Sequence, residues 1–185
     1  MSIIYLCYFS YKARRIPMLS YQTIAPHTLE LQRQLTALPK LKKTRLVGGT
    51  ALALQFGHRS SVDLDLFGYL DEDISALRDS VEEIGSVKVL KETRNIRIYD
   101  VDGVMVDFVD HSRYPWLCKP IVEDGLRLAS VEDIAAMKVN AIEGYGTCKD
   151  FVDIYVLLQR LSSGQRLRAF AVTLGSVIHY CKAVK

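Results

Sequence analysis

Between residues 46 and 67 the chain passes from a short apolar run into Gly48-Gly49-Thr50, through an alanine- and leucine-rich stretch, and into a segment that alternates carboxylates with apolar side chains. Few folds accept that succession. Residues 45–47 read as a strand that stops at the glycines. Residues 51–56 read as a short helix, and residues 62–67, with their period of two, as a second strand. Strand, glycine turn, helix and strand in so short a span call for a sheet with a helix packed on it. A helical bundle or an all-β sandwich does not fit.

Asp63 and Asp65 stand two apart on the second strand. Their side chains therefore leave the same face, with Cα atoms roughly 6.6 Å apart. Carboxylates at that spacing can converge on two metal ions about 3.5–4 Å apart, as two-metal phosphoryl transfer requires. Taken alone, an Asp-x-Asp pair is ordinary exposed surface. The upstream context raises its meaning. Gly48 and Gly49 let backbone N–H groups approach a phosphate at a helix N-terminus, with the hydroxyl of Thr50 beside them. The bland reading is a tight turn that needs glycine. His58 and Arg59 follow in the loop. Arg59 is placed either to grip a phosphate through two N–H groups or to serve as a plain loop charge. None of the four histidines has metal-ligand spacing.

Downstream, residues 28–38 carry a helical leucine stripe, and Ile74, Leu77, Val81 and Ile84 mark a second amphipathic helix. Strands are expected at 87–90, 96–101 and 104–109, the last two joined by a hairpin at Asp102-Gly103. Folding that hairpin sets Asp107 on one face with Met105, Val109, Ile96 and Ile98. A carboxylate in such company is costly unless paired or metal-bound, so Asp107 is a third candidate ligand, against the alternative of a structural core acid. Ser130 to Asp133 has the form of a capping box opening a helix over about 131–143. Lys138 interrupts its apolar stripe, either snorkelling to solvent or reaching a triphosphate. Another helix follows over about 149–161, where Asp150 and Asp153 suit the positive end of the helix dipole. A last apolar-periodic segment runs from Leu167 to Cys181.

The expected organisation is mixed α/β. Residues 1–17 form a non-native or disordered extension, Met18 being an alternative start. Residues 18–124 form a sheet domain with flanking helices, and residues 125–185 a helical subdomain. The 185 residues are 49% hydrophobic and 24% charged, which excludes disordered and fibrous classes. The net charge of +3 is mild, but Lys40, Lys42, Lys43 and Arg45 cluster before the glycines, and Lys12, Arg14 and Arg15 form a second group. Either group suits a polyanion or is plain solvated surface. Four scattered cysteines give neither a zinc site nor a disulfide framework, and fit free thiols in a reducing cytoplasm. The apolar run at 3–11 is too short to span a membrane.

Read together, LVGGTALALQFGHRSSVDLDLF (46–67), AAMKV (135–139) and KDFVDIY (149–155) resemble the AbiEii family of nucleotidyltransferase toxins, over about residues 18–161. The resemblance implies a nucleotidyltransferase fold of the polymerase-beta type, with Mg²⁺ held by Asp63 and Asp65 and with Lys138 and Asp150 required for function. Asp107 matches the place of the fold's third carboxylate. It further implies transfer of a nucleotide from a nucleoside triphosphate to RNA, tRNA in particular, and restraint by an antitoxin protein encoded nearby. Where the family usually has Gly-Arg, this chain reads Gly144-Tyr145, and the family usually runs on past the end of this chain. Two other readings stand beside RNA transfer. In one the acceptor is a protein or a small molecule. In the other the chain is an idle member that binds nucleotide or a partner.

Overall fold

A computed structural model describes residues 19–70 and 73–166. The expected extension at 1–17 and the apolar-periodic segment from Leu167 to Cys181 lie outside the described residues. The first helix, α1 (Pro26–Ala37), opens on a proline, whose fixed φ suits a first turn and whose missing N–H costs nothing there. It buries Thr28, Leu31 and Leu35 along one stripe. It stops at Leu38, held extended by Pro39. Strand β1 (Thr44–Leu46) follows and feeds α2 (Gly48–Phe56). That helix, expected at 51–56, begins three residues earlier, so Gly48, Gly49 and Thr50 form its first turn. Ala51, Leu52, Ala53 and Leu54 are all buried, because α2 is enclosed on every side.

Strand β2 (Leu64–Gly68) sets Leu64 and Leu66 into the core and leaves Asp65 and Phe67 half-buried on the other face. Helix α3 (Ile74–Glu82) is capped by Asp73, which accepts from the Ala76 N–H, and buries Leu77 and Val81. A meander of β3 (Val87–Glu92), β4 (Ile96–Val101) and β5 (Val104–Asp110) comes next. The expected Asp102-Gly103 turn is there, with both residues at positive φ. A hairpin that the sequence reading lacked follows: β6 (Ile121–Glu123) and β7 (Leu126–Leu128), turning on Asp124-Gly125. The sheet thus continues past residue 124, where the sheet segment was expected to end.

All seven strands form one mixed sheet in the order β3-β4-β5-β2-β1-β7-β6. β2 runs parallel to β5 and antiparallel to β1, while β1 runs parallel to β7. One face carries the main core: Leu46, Leu64, Leu66, Val106 and Phe108, with Tyr99 and Val101. Burying each such leucine contributes about 1.5–3 kcal/mol. Helices α4 (Val131–Tyr145) and α5 (Cys148–Arg160) pack on each other, and both touch α2. Ser130 caps α4 by accepting from the Asp133 N–H, as expected, and Thr147 with Asp150 forms a capping box on α5. Among the described residues no helix is long and apolar enough to cross a membrane.

Candidate active site

The site lies on the sheet face opposite the main core. Asp65 on β2 pairs in register with Asp107 on the parallel neighbour β5, so the two carboxylates leave adjacent strands side by side. Asp63 precedes β2 by one residue and shares that electrostatic field, since it acts on both. The candidate triad of acids is therefore brought together. Burial, then the neighbouring Asp107 and Asp63 charges, push the Asp65 carboxyl up to about 7, against an opposing pull from Lys138. Burial and Asp63 push Asp107 up as well. Asp107 does share its face with Ile98 and Ile96, as the hairpin register requires. That face is half open, with Met105 46% exposed, so Asp107 lies at a cleft and not inside an apolar core.

The glycines sit against this cluster. Gly48 has φ +66°, in the left-handed region, and a Cβ there would run into the Asp65 carboxylate. A Cβ on Gly49 would run into the Arg59 guanidinium. The start of α2 is thus bare backbone between an acid and a base, with the positive end of a helix facing the carboxylates. Thr50 does not join this surface. Its hydroxyl is buried, donates to the Asp63 carbonyl and lies 2.8 Å from Ser61 Oγ. It ties α2 to the loop that carries Asp63, and its side chain does not line a phosphate cradle.

The two expected cations are both engaged with acids. Arg59 donates through Nε and Nη2 to the two oxygens of Asp153, at 2.7 and 2.9 Å. Lys138 Nζ reaches Asp150 Oδ1 and Asp153 Oδ2, each at 2.8 Å. His58 Nε2–H donates to Asp153 Oδ1 at 2.8 Å. Asp153 is wholly buried at the meeting point of three basic side chains. Burial alone would raise its carboxyl, but hydrogen bonds from Arg59, His58 and Lys138 outweigh that and hold it well below the usual range. Burial also works to raise Asp150, and the bonds from Lys138 and Thr147 outweigh it there too. Asp150 therefore does two jobs, capping α5 and anchoring Lys138.

From the sequence Asp153 read only as an acid suited to the helix dipole and His58 only as a loop residue, neither as part of the site. The available signal was spacing: Asp153 sits four residues before the buried Leu157, on the inward stripe of α5.

Mg²⁺ is implied by the resemblance, and the residues fit it. Asp65 and Asp107 on one face, with Asp63 one residue ahead of β2, supply the hard oxygen donors such an ion takes. Asp107 Oδ1 is buried without a hydrogen-bond partner, and two of the acids are held up in pKa by their neighbours, a strain that a cation would relieve. Among the described residues no three acidic, histidine or cysteine side chains already stand gathered as an ion cage.

Comparison with known proteins bears on this arrangement. Residues 31–179 match the model of the family described as nucleotidyl transferase AbiEii toxin, type IV TA system. A protein of Aquifex aeolicus (strain VF5) is 34% identical over 119 residues, which cover 62% of this chain and 57% of that relative. The chain thus spans less than two thirds of that relative's length. Among solved structures, the antibiotic-resistance factor ANT(2'')-Ia superposes with a TM-score of 0.63 at 16% identity, over 85% of this chain and 95% of its own. MenT4, a nucleotidyltransferase toxin of Mycobacterium tuberculosis H37Rv, gives a TM-score of 0.57 at 14% identity, over 79% of this chain and 61% of its own. At such identities the structural likeness speaks for the fold, which is that of the polymerase-beta-like nucleotidyltransferases.

Proposed function

The chain belongs to the AbiEii family of type IV toxin–antitoxin nucleotidyltransferases, and we propose that it transfers a nucleotide from a nucleoside triphosphate to the 3′ end of an RNA, with tRNA as acceptor. The observation that carries this reading is the pairing of Asp65 with Asp107 on one sheet face, with Asp65 against the start of α2 and the Asp63 charge felt by both. Transfer forms a bond from the acceptor hydroxyl oxygen to the α-phosphorus and breaks the bond from that phosphorus to the oxygen bridging the β-phosphate. The hydroxyl proton must go to a base, and pyrophosphate leaves with the bridging oxygen.

Each part of the site has a task in that reaction. Gly48 and Gly49 offer N–H groups and the helix end to the triphosphate, where a side chain would displace Asp65 or Arg59. Asp107, whose Oδ1 is buried without a hydrogen-bond partner, serves as general base for the acceptor hydroxyl proton or as a third ligand. Asp63 and Asp65, with Asp107, would hold Mg²⁺. When bound, the metal supplies charge neutralisation for the attacking and leaving oxygens. Lys138 and Arg59 act from behind. Fixed by Asp150 and Asp153, they keep positive charge beside the acids without leaving α4 and the loop after α2.

An RNA acceptor is supported by the basic group Lys40, Lys42 and Lys43, which lies just ahead of β1 on the chain. The same reading gives the chain an antitoxin protein as partner, which membership of a type IV toxin–antitoxin family supports, and the cytoplasm as its place of action. The test uses purified full chain, α-labelled nucleoside triphosphates and Mg²⁺, with total tRNA, total protein or small hydroxyl compounds as separate acceptors. Label entering the tRNA band supports the reading. Label entering only protein or small molecules transfers the site to another acceptor. No label in any arm, beside an active relative, leaves a nucleotide- or partner-binding member.

A further inference from the structure

A second feature shares the sheet face with the carboxylates. Along β2 the same-face residue after Asp65 is Phe67, roughly 6.6 Å further on, and Phe67 pairs with Arg45 of β1. From there an aromatic chain continues. The His111 ring lies 6.0 Å from that of Phe67, 5.2 Å from Tyr114 and 4.6 Å from Trp116. Cations alternate with these rings. The Arg45 guanidinium stands over Trp116 at 4.1 Å, and the Lys43 ammonium over Tyr69 at 4.7 Å. Between them opens a cavity of about 340 Å³, lined by Lys43, Tyr69, His111, Tyr114 and Trp116 among others. Tyr69 and Tyr114 are about half exposed at its rim, ready to stack on a flat ligand. Burial and then Arg45 depress the His111 pKa, against an opposing pull from Asp110.

Alternating aromatic faces and cations are the composition of a single-strand nucleic-acid platform. Rings take the bases and the exposed Lys43 meets the phosphates, while Arg45, bound to the Cys118 carbonyl and 3.6 Å from Asp133, holds Trp116 in the stack. The position selects which strand. Gly48 and Gly49 lie at the C-terminal end of β1, whereas Lys43 precedes its first residue and Gly68 ends the antiparallel β2. The cavity is therefore at the far end of β1 and β2 from the glycines, and Asp65, level with Val47 and against Gly48, lies at the glycine end two strand residues beyond Phe67. We propose that this cavity is a nucleobase-stacking subsite for the acceptor RNA strand, placed to hold a base near its 3′ end while the terminal hydroxyl meets the carboxylates. The assignment to the acceptor rests on the reaction proposed above.

Trp116 is the one tryptophan of the chain, so its emission reports this cavity directly. The full chain is titrated with a short oligoadenylate, with a ribose-phosphate oligomer of equal length lacking bases, and with ATP alone. The subsite predicts saturable quenching by the oligoadenylate and little by the other two. Tyr114→Ala, at an exposed rim position that the core does not need, should weaken oligoadenylate binding about tenfold and raise the acceptor KM alike, with the KM for nucleoside triphosphate unmoved. Asp65→Asn should abolish transfer and leave the quenching intact.

Unchanged Trp116 emission, equal binding of the base-free oligomer, or a Tyr114→Ala chain with unaltered acceptor KM would overturn the subsite, even if transfer to RNA proceeds. Quenching by ATP in preference to the oligomer would also overturn it, by assigning the cavity to the incoming nucleotide. Quenching by the oligoadenylate in a chain that transfers nothing would fail the reaction and leave the base site standing.

Discussion

At the scale of single residues, the site is a contest between buried acids with few partners and one acid with many. Asp153 has three basic partners and no exposure, and removing its charge strands His58, Arg59 and Lys138 together. Breaking a buried pair of this kind costs about 3–5 kcal/mol. Asp153→Asn should therefore lower the unfolding free energy by about that much in a urea titration. The wild-type contribution is present above the unfolded carboxylate pKa, near 3.9, and is lost as pH falls from there through the depressed folded value. Asp65 behaves in the opposite sense. Its carboxyl is raised to about 7 in the folded chain, so its contribution is full in acid and is lost as pH rises through about 7. Thermal midpoints of metal-free protein between about pH 5 and 9 should show that loss, and Asp65→Asn should flatten it. Asp107 and Lys138 were legible in the sequence because each interrupts an apolar face, and Asp63 and Asp65 because they stand two apart on a strand just after Gly48-Gly49-Thr50. Asp153 was not, since an acid in the first turns of a helix is explained by the dipole alone. Arg59 was legible as a cation, but its partner is an acid from another helix, which no local pattern reveals.

At the scale of elements, the junction of β1 with α2 decides whether the site exists. Gly48 and Gly103 both hold positive φ, but they differ in surroundings. A Cβ at Gly103 meets nothing within 4 Å, whereas one at Gly48 meets the Asp65 carboxylate. Gly103→Ala should cost about 1 kcal/mol from backbone strain and leave activity in place. Gly48→Ala should add displacement of Asp65 to the same strain and remove transfer; circular dichroism and the labelling assay, run on both variants, separate the two effects. The turn at Asp102-Gly103 was readable because six- and seven-residue strands flank it. The same Asp-Gly pair at 124–125 joins strands of three residues, too short for a period to register. What fixes that second hairpin is non-local: β7 pairs with β1, some eighty residues earlier in the chain, and Leu126 and Leu128 are fully buried.

At the scale of the molecule, one sheet divides two environments. Its core face is closed, while the other face carries acids at its centre and rings and cations at one end, with α4 and α5 tied to the loop after α2 through Asp153. The mixed α/β class followed from local periods, and the sheet order did not, because parallel pairing of β2 with β5 and of β1 with β7 joins strands far apart in sequence. The central claim is that Asp63, Asp65 and Asp107 act together in nucleotidyl transfer. It is tested most directly by single-turnover transfer of α-labelled nucleotide to tRNA by wild-type, Asp65→Asn and Asp107→Asn chains of equal helical content. The account predicts label in the tRNA with the wild type and a loss of roughly a hundredfold or more with either variant. Transfer by either variant at the wild-type rate would contradict it.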